Sequence, residues 1–521
     1  MTGTPEARLV MQPPAPTESY NDTLQDSQLG APSTGNNRRH DTPAAHDSTY
    51  IQRSATQPSD PPTPPKAPRV RILAPDLLRG VLMLVMTLDH VGSGLGTWRS
   101  GTEWDGTVVN DFTAPLAYAI RTMAHNIISG FMFLMGMGII FLGQSRKKLG
   151  WPPMRCVRYF FIRGMVIIIV PALVGVALPW GPDFYVNLVL SAQGVNFFLL
   201  GLLWLLFEKT EKMLAQQLAR LKICSNCSDS ERENEPLLAR ERVGGPQLAS
   251  DMADLSWHIH NAVLVILGVI TISWNIWFAQ HHGCLESISA TIADHQRAAD
   301  LTSTSPNFLF RILFWPVETY RWKARFPALS WSSFAILGFL YGRITVSRRW
   351  SPRAMAAGQA LVASLFAFLF ILTRVLQVGN LSEGCLRTPS HERHPKKNPY
   401  LVSPEAFFYV IKYPPDVAFW ALTMAGNNFL LAVFGATPLH MAKRLTILLD
   451  IGSTPLFFYI GSAVVWFAFA KTLMAIPGHP HWSMSVCFVI SALIVLIMWP
   501  LCRAYGRFKN SKPADSIWRL F

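Results

Sequence analysis

Charge is scarce in this 521-residue chain: 15% of its residues are Asp, Glu, Lys or Arg. Cysteine is scarcer. Seven scattered residues in so long a chain imply no disulfide framework. Cys224 and Cys227 form a lone C-x-x-C with no second pair or histidines beside it, too few ligands for zinc, and no metal is expected. There is no H-E-x-x-H, no G-x-S-x-G and no phosphate-cradling glycine loop, which removes the zinc-peptidase, serine-hydrolase and P-loop classes. Residues 1–68 are poor in large apolar side chains and rich in Pro, Ser, Thr, Asn and Asp. Such a stretch cannot offset its ordering entropy and reads as a disordered cytosolic tail. It also lacks a charged segment followed by an apolar core, so the first span is expected to act as the insertion signal. No internal repeat is visible.

Apolar residues, by contrast, make up 50% of the chain, with 17 Trp and 32 Phe, and the mean hydropathy is +0.24. This is the composition of a polytopic membrane protein. The net charge of +14 does not indicate a nucleic-acid partner, because the basic residues flank apolar segments. Ten segments are long enough to cross a hydrocarbon core of roughly 30 Å. They lie near 73–95, 117–142, 157–179, 185–207, 257–279, 328–346, 354–377, 415–435, 449–473 and 484–505. The expected fold is therefore an all-α transmembrane bundle over residues 69–510, with a cytosolic tail at 511–521. Three hydrophilic insertions interrupt it, at 208–256, 280–326 and 380–413. Arg146, Lys147, Lys148, Arg155, Arg158, Arg348, Arg349, Arg353, Arg507, Lys509 and Lys512 fall in alternate connections, which places those connections and both termini in the cytosol. The insertion at 380–413 falls outside in this count although it too is basic, with Arg387, Arg393, Lys396, Lys397 and Lys412.

Ionisable residues inside spans are costly and mark sites by default. The first span carries Asp76, Arg79, Asp89 and His90. At about 100° per residue, Asp76, Arg79 and His90 share one face, while Asp89 points elsewhere. Arg79 and His90 are separated by about 16 Å along the axis. The second span carries Arg121 and His125, one helical turn apart. Asn126, Ser129, Gly130, Gly136 and Gly138 follow, small residues that permit close helix packing. Chain direction puts His90 and His125 toward the extracytosolic end, and Asp76 and Arg79 toward the cytosolic end. This two-ended stripe suits a reaction whose anionic donor arrives from the cytosol. It suits a proton-coupled transporter equally. His281 with His282, and His479 with His481, read as interfacial pairs. Glu233, Leu237 and Leu238 have the spacing of an acidic dileucine signal that a sorting adaptor could read. That directs the expectation to a vacuole or lysosome, with the plasma membrane as the alternative.

Five segments, in order, resemble one family. Asp76-Leu77-Leu78-Arg79-Gly80 followed by Leu88-Asp89-His90 is similar to its first span. Arg121 and His125 followed by Phe131-Met132-Phe133-Leu134-Met135-Gly136 resemble a second span. Tyr413-Pro414-Pro415, Pro455-Leu456-Phe457-Phe458-Tyr459, and Pro500 to Lys509 are similar to its C-terminal half. The family is that of heparan-alpha-glucosaminide N-acetyltransferase and its bacterial relatives of unknown function. The resemblance implies a membrane acyltransferase moving acetyl from acetyl-CoA to a lumenal or extracytosolic amino-sugar or hydroxyl acceptor. The chain departs from the lysosomal branch at Gly101 to Gly106, where no histidine precedes the Trp104-Asp105-Gly106 stretch. On the reading of the stripe, His125 is the base or a transient acetyl carrier and His90 assists proton transfer. Asp89 orients His90, and Arg121 tunes His125 or steadies oxyanion charge. Arg79, with Asp76, attracts the donor. A transporter and a non-catalytic membrane scaffold are the rival readings.

Overall fold

The computed structural model describes residues 73–513, apart from 98–111, 113–114, 178–185, 188, 229–244, 280–312, 315–316, 319–322, 325, 349 and 475–481, and also residues 516–519. The expected disordered tail, the dileucine motif and the two histidine pairs lie outside the described residues.

Twelve longer helices carry the fold among the described residues: α1 (Ala74–Gly94), α2 (Pro115–Ala124), α3 (Asn126–Lys148), α4 (Pro153–Ala177), α5 (Val189–Ser228), α6 (Gly245–Ala279), α7 (Ser332–Ser347), α8 (Pro352–Leu376), α9 (Val417–Ala436), α10 (Thr446–Ser453), α11 (Pro455–Met474) and α12 (Met484–Ser511). Each expected span has its helix. Among the described residues eight spans, not the ten expected, are apolar and long enough to cross a membrane, with α2 and α3 counted together as one; the charge-bearing α1 and the 16-residue α7 are not among them. The chain is an integral, multi-pass membrane protein. Local sequence sets several helix ends. Ser351 accepts from the Ala354 N–H ahead of Pro352, and Asp416 accepts from the Phe419 N–H, so α8 and α9 start on side-chain caps.

The bundle has a basic side, where the arginine- and lysine-rich connections lie, and an opposite side covered by residues 377–416. Helix α1 runs between them, packed by α3, α9, α10, α11 and α12. Backbones touch where glycine allows it. A Cβ at Gly338 of α7 would fall 1.9 Å from the Phe133 carbonyl oxygen of α3, and one at Gly136 equally close to the Ala335 carbonyl oxygen. Gly138 has nothing within 4 Å, so packing does not explain that glycine. Gly338→Val would force α3 and α7 apart. It is expected to lower the melting temperature of detergent-purified protein by several degrees, whereas Gly138→Ala should leave it unchanged.

Three expectations change. First, most of 208–256 is helical: α5 continues to Ser228 and α6 begins at Gly245. The segment read as hydrophilic because it is charged, yet its leucines recur at helical spacing. Second, the stretch 380–413 is a folded cap of short turns over a small core of Cys385, Leu386, Tyr400, Ala406, Tyr409 and Ile411. The fully buried Arg374 at the end of α8 organises it. Its guanidinium donates to Asn380 Oδ1 at 2.8 Å and to the Tyr409 carbonyl at 2.7 Å, and lies 4.3 Å from the Tyr400 ring. Burial pushes the Tyr400 phenol pKa up, so the ring stays neutral beside that cation. Third, Cys385 is disulfide-bonded, whereas Cys156, Cys487 and Cys502 are free thiols. Disulfides persist in oxidising compartments. The cap therefore fits an extracytosolic face despite its basic residues. Three two-residue strands, Val186–Asn187, Lys323–Ala324 and Val317–Glu318, pair in that order and are the only sheet among the described residues.

The bridge makes topology testable. Lys396 is exposed on the cap. A Lys396→Cys protein should react with an impermeant thiol reagent only from the extracytosolic side, and Cys385 should react only after reduction. Labelling of Lys396→Cys from the cytosol alone would invert the assignment.

Candidate functional site

Along α1 the polar residues fall into two groups. At the basic end, Arg79 donates to Asp76 Oδ1 at 2.7 Å, one turn away, and both are largely buried. The backbone here is pressed against α10, since a Cβ at Gly80 would fall 2.3 Å from the Leu448 carbonyl oxygen. Lys509 of α12 reaches the Ser453 carbonyl at the C-terminus of α10, at 3.4 Å, where a cation is favoured. Arg79, Arg163 and Arg519 lie within electrostatic reach of Lys509, as does Asp76. Lys509 thus has three other cations and one carboxylate within electrostatic reach. The sequence reading used Lys509 only as a topology marker and did not single out Arg163. They stand on different helices, and no spacing in the chain links them.

At the cap end, Asp89 and Arg121 form a buried ion pair, and the same guanidinium nitrogen reaches Ser93 Oγ at 3.3 Å. The Asp89 carboxylate holds Arg121 and also lies within electrostatic reach of His90, and Arg121 lies within reach of His125. Asp89 points away from the stripe, as its helical position requires, because Arg121 approaches from α2.

His125 sits where the second span breaks between α2 and α3. Its N–H bonds back only three residues, to the Thr122 carbonyl at 3.2 Å. Asn427 of α9 inserts at this break. Its amide donates to the Asn126 carbonyl at 3.2 Å and to Ser129 Oγ at 3.1 Å. A side chain entering the helical ladder is one of the few causes of a local break. Asn427 and Asn428 are polar residues in the middle of an apolar span, a signal the sequence carried and the reading missed.

The His125 ring is buried and lies edge-on to Phe419, with centroids 5.4 Å apart. The His90 ring lies 6.5 Å from that of Tyr459, also edge-on. Among the described residues neither imidazole makes a hydrogen bond. The His90 side chain keeps substantial accessible surface. Arg121 and Lys412 are the cations within electrostatic reach of both rings among the described residues. Lys412 comes down from the cap, 5.4 Å from the Tyr413 ring and 5.8 Å from Phe326. In the sequence it counted only as a positive charge on the wrong side. Asp76 and Arg79 therefore stand together at one end, and His90, His125, Asp89 and Arg121 at the other.

This arrangement can hold an anion at the basic mouth and move a proton at the capped end. Among the described residues no group of three or more His, Cys, Asp or Glu could hold a metal ion. No protein-family model matches the sequence, and no curated protein matches it.

Proposed function

We propose that the protein is a membrane-bound acyltransferase that moves an acetyl group from cytosolic acetyl-CoA to an amine or hydroxyl acceptor, an amino sugar or polyol, on the capped side. The observation that carries this reading is the two-ended path along α1: a group of cations around Lys509 at one end, and at the other two imidazoles that make no hydrogen bond among the described residues. The phosphates of acetyl-CoA are polyanionic; Arg79, Arg163 and Arg519 offer them planar guanidinium donors and Lys509 a compact charge. His125 takes the acceptor's proton as its nitrogen or oxygen attacks the thioester carbonyl, or it carries the acetyl group transiently. Arg121, fixed by Asp89, faces charge developing on the carbonyl oxygen. His90 assists the proton transfer. The family resemblance points the same way, and the acidic dileucine motif favours a vacuolar or lysosomal membrane with an adaptor as partner.

A proton-coupled transporter would use the same polar path. The two readings separate on chemistry. Detergent-purified protein given labelled acetyl-CoA and a panel of amino sugars and polyols should release free CoA and labelled product. Lys509→Gln and Arg79→Ala should each raise KM for acetyl-CoA about tenfold with kcat nearly unchanged, because they remove binding rather than chemistry. Solute uptake with no acyl transfer would favour the transporter.

A further inference from the structure

The basic side carries a cavity away from the α1 path. It has a volume of about 370 Å³ and lies where α3, α5, α6 and α7 meet. That is within the range of roughly 300–1,000 Å³ common for small-molecule sites. Its position is level with the membrane surface, because α5 and α6 continue beyond it as charged helices.

The walls are fixed. Ser256 Oγ donates to the Glu211 carbonyl at 2.8 Å, and His260 bonds Thr210 Oγ1 at 3.0 Å, so α5 and α6 are joined beside the cavity. Trp204 packs where Gly143 leaves room: a Cβ there would fall 2.5 Å from the indole. Two indoles, Trp204 and Trp257, line the space. So do three carboxylates, Glu208, Glu211 and Asp254, and two guanidinium groups, Arg343 and Arg348. Arg343 is engaged by Glu211 Oε2 at 2.9 Å and Asn261 Oδ1 at 2.8 Å. Glu208 is paired with Lys147. Asp254 and Arg348 are exposed at the rim.

An aromatic wall with carboxylates suits an ammonium group. A guanidinium at the same rim suits a phosphate. The exposed apolar residues Leu255, Ile259 and Val263 begin beside the cavity and run along α6 into the membrane. Such a track suits an acyl chain.

We propose that this cavity binds a zwitterionic ammonium–phosphate headgroup, its ammonium toward Asp254 and Trp257 and its phosphate toward Arg348. The site is independent of the acyl-transfer reading. The chemistry could come from a phospholipid or from a soluble phosphodiester, and the experiment separates them. Full-length protein in a non-ionic detergent is titrated by native mass spectrometry with dioleoyl phosphatidylcholine, with phosphatidylglycerol of the same acyl chains, and with glycerophosphocholine. Phosphatidylcholine should be retained about tenfold better than phosphatidylglycerol, which lacks the ammonium, a difference of about 1.4 kcal/mol. Asp254→Asn and Trp257→Ala should each remove most of that preference. Asp254 is exposed, so Asp254→Asn tests binding without disturbing the core. Displacement of the lipid by glycerophosphocholine would mean the headgroup alone suffices. Selectivity without displacement would make the occupant a membrane lipid. Equal retention of both lipids, or a preference that both variants leave intact, would overturn the proposal.

Discussion

His125→Ala protein is expected to purify as a monodisperse species and to lose acetyl transfer by about 10²–10⁴-fold, the usual contribution of a positioned general base. The loss should fall on kcat, with KM for acetyl-CoA close to that of the unaltered protein, because the donor cations lie at the other end of α1. The buried ring contacts Phe419 edge-on and makes no hydrogen bond among the described residues, so its truncation leaves no polar partner unpaired. Trp331 and the rest of the core around Phe419 remain in place. His90→Ala should reduce turnover less, since that ring only assists. Steady-state kinetics on the two variants checks this. Wild-type turnover in monodisperse His125→Ala would remove His125 from the chemistry and transfer the role to His90.

The second large effect is structural. Asp89→Ala leaves the Arg121 guanidinium buried without its carboxylate, and breaking such a pair costs about 3–5 kcal/mol. The melting temperature of detergent-purified protein, followed by intrinsic fluorescence, should drop markedly. Arg121→Leu should do the same to Asp89. The double variant Asp89→Leu with Arg121→Leu should be more stable than either single one, because it buries no unpaired charge. A single variant as stable as wild type would show that the pair does not hold α1 to α2.

These two residues mark where sequence reasoning succeeds and stops. The all-α membrane bundle was legible because a bilayer demands long apolar runs, and eight of the ten expected spans are long and apolar enough among the described residues. Asp76 and Arg79 were legible as a pair because three residues on a helix bring side chains together. Asp89 and Arg121 are 32 residues apart, on different helices, and nothing in the pattern couples them. Their separate positions in two spans were visible, but not the contact that joins Asp89 to Arg121. Lys412 was misread for a similar reason. The positive-inside rule treats it as a topology charge, whereas the fold of the cap around Arg374 turns it toward the imidazoles. The cap itself was hidden, because its short proline-started turns have no period to read. Asn427 was within reach: a polar pair in the middle of an apolar span asks for a partner, and the break at His125 supplies one.

The central claim is transfer from one side of the membrane to the other. Its most direct measurement uses proteoliposomes with the protein oriented basic side out. Labelled acetyl-CoA is added outside, and amino sugars and polyols are trapped within. The account predicts labelled acetylated product inside the vesicles, with free CoA accumulating outside, and neither in vesicles carrying His125→Ala. Acceptor that leaves the vesicles unmodified, with acetyl-CoA intact, would contradict it.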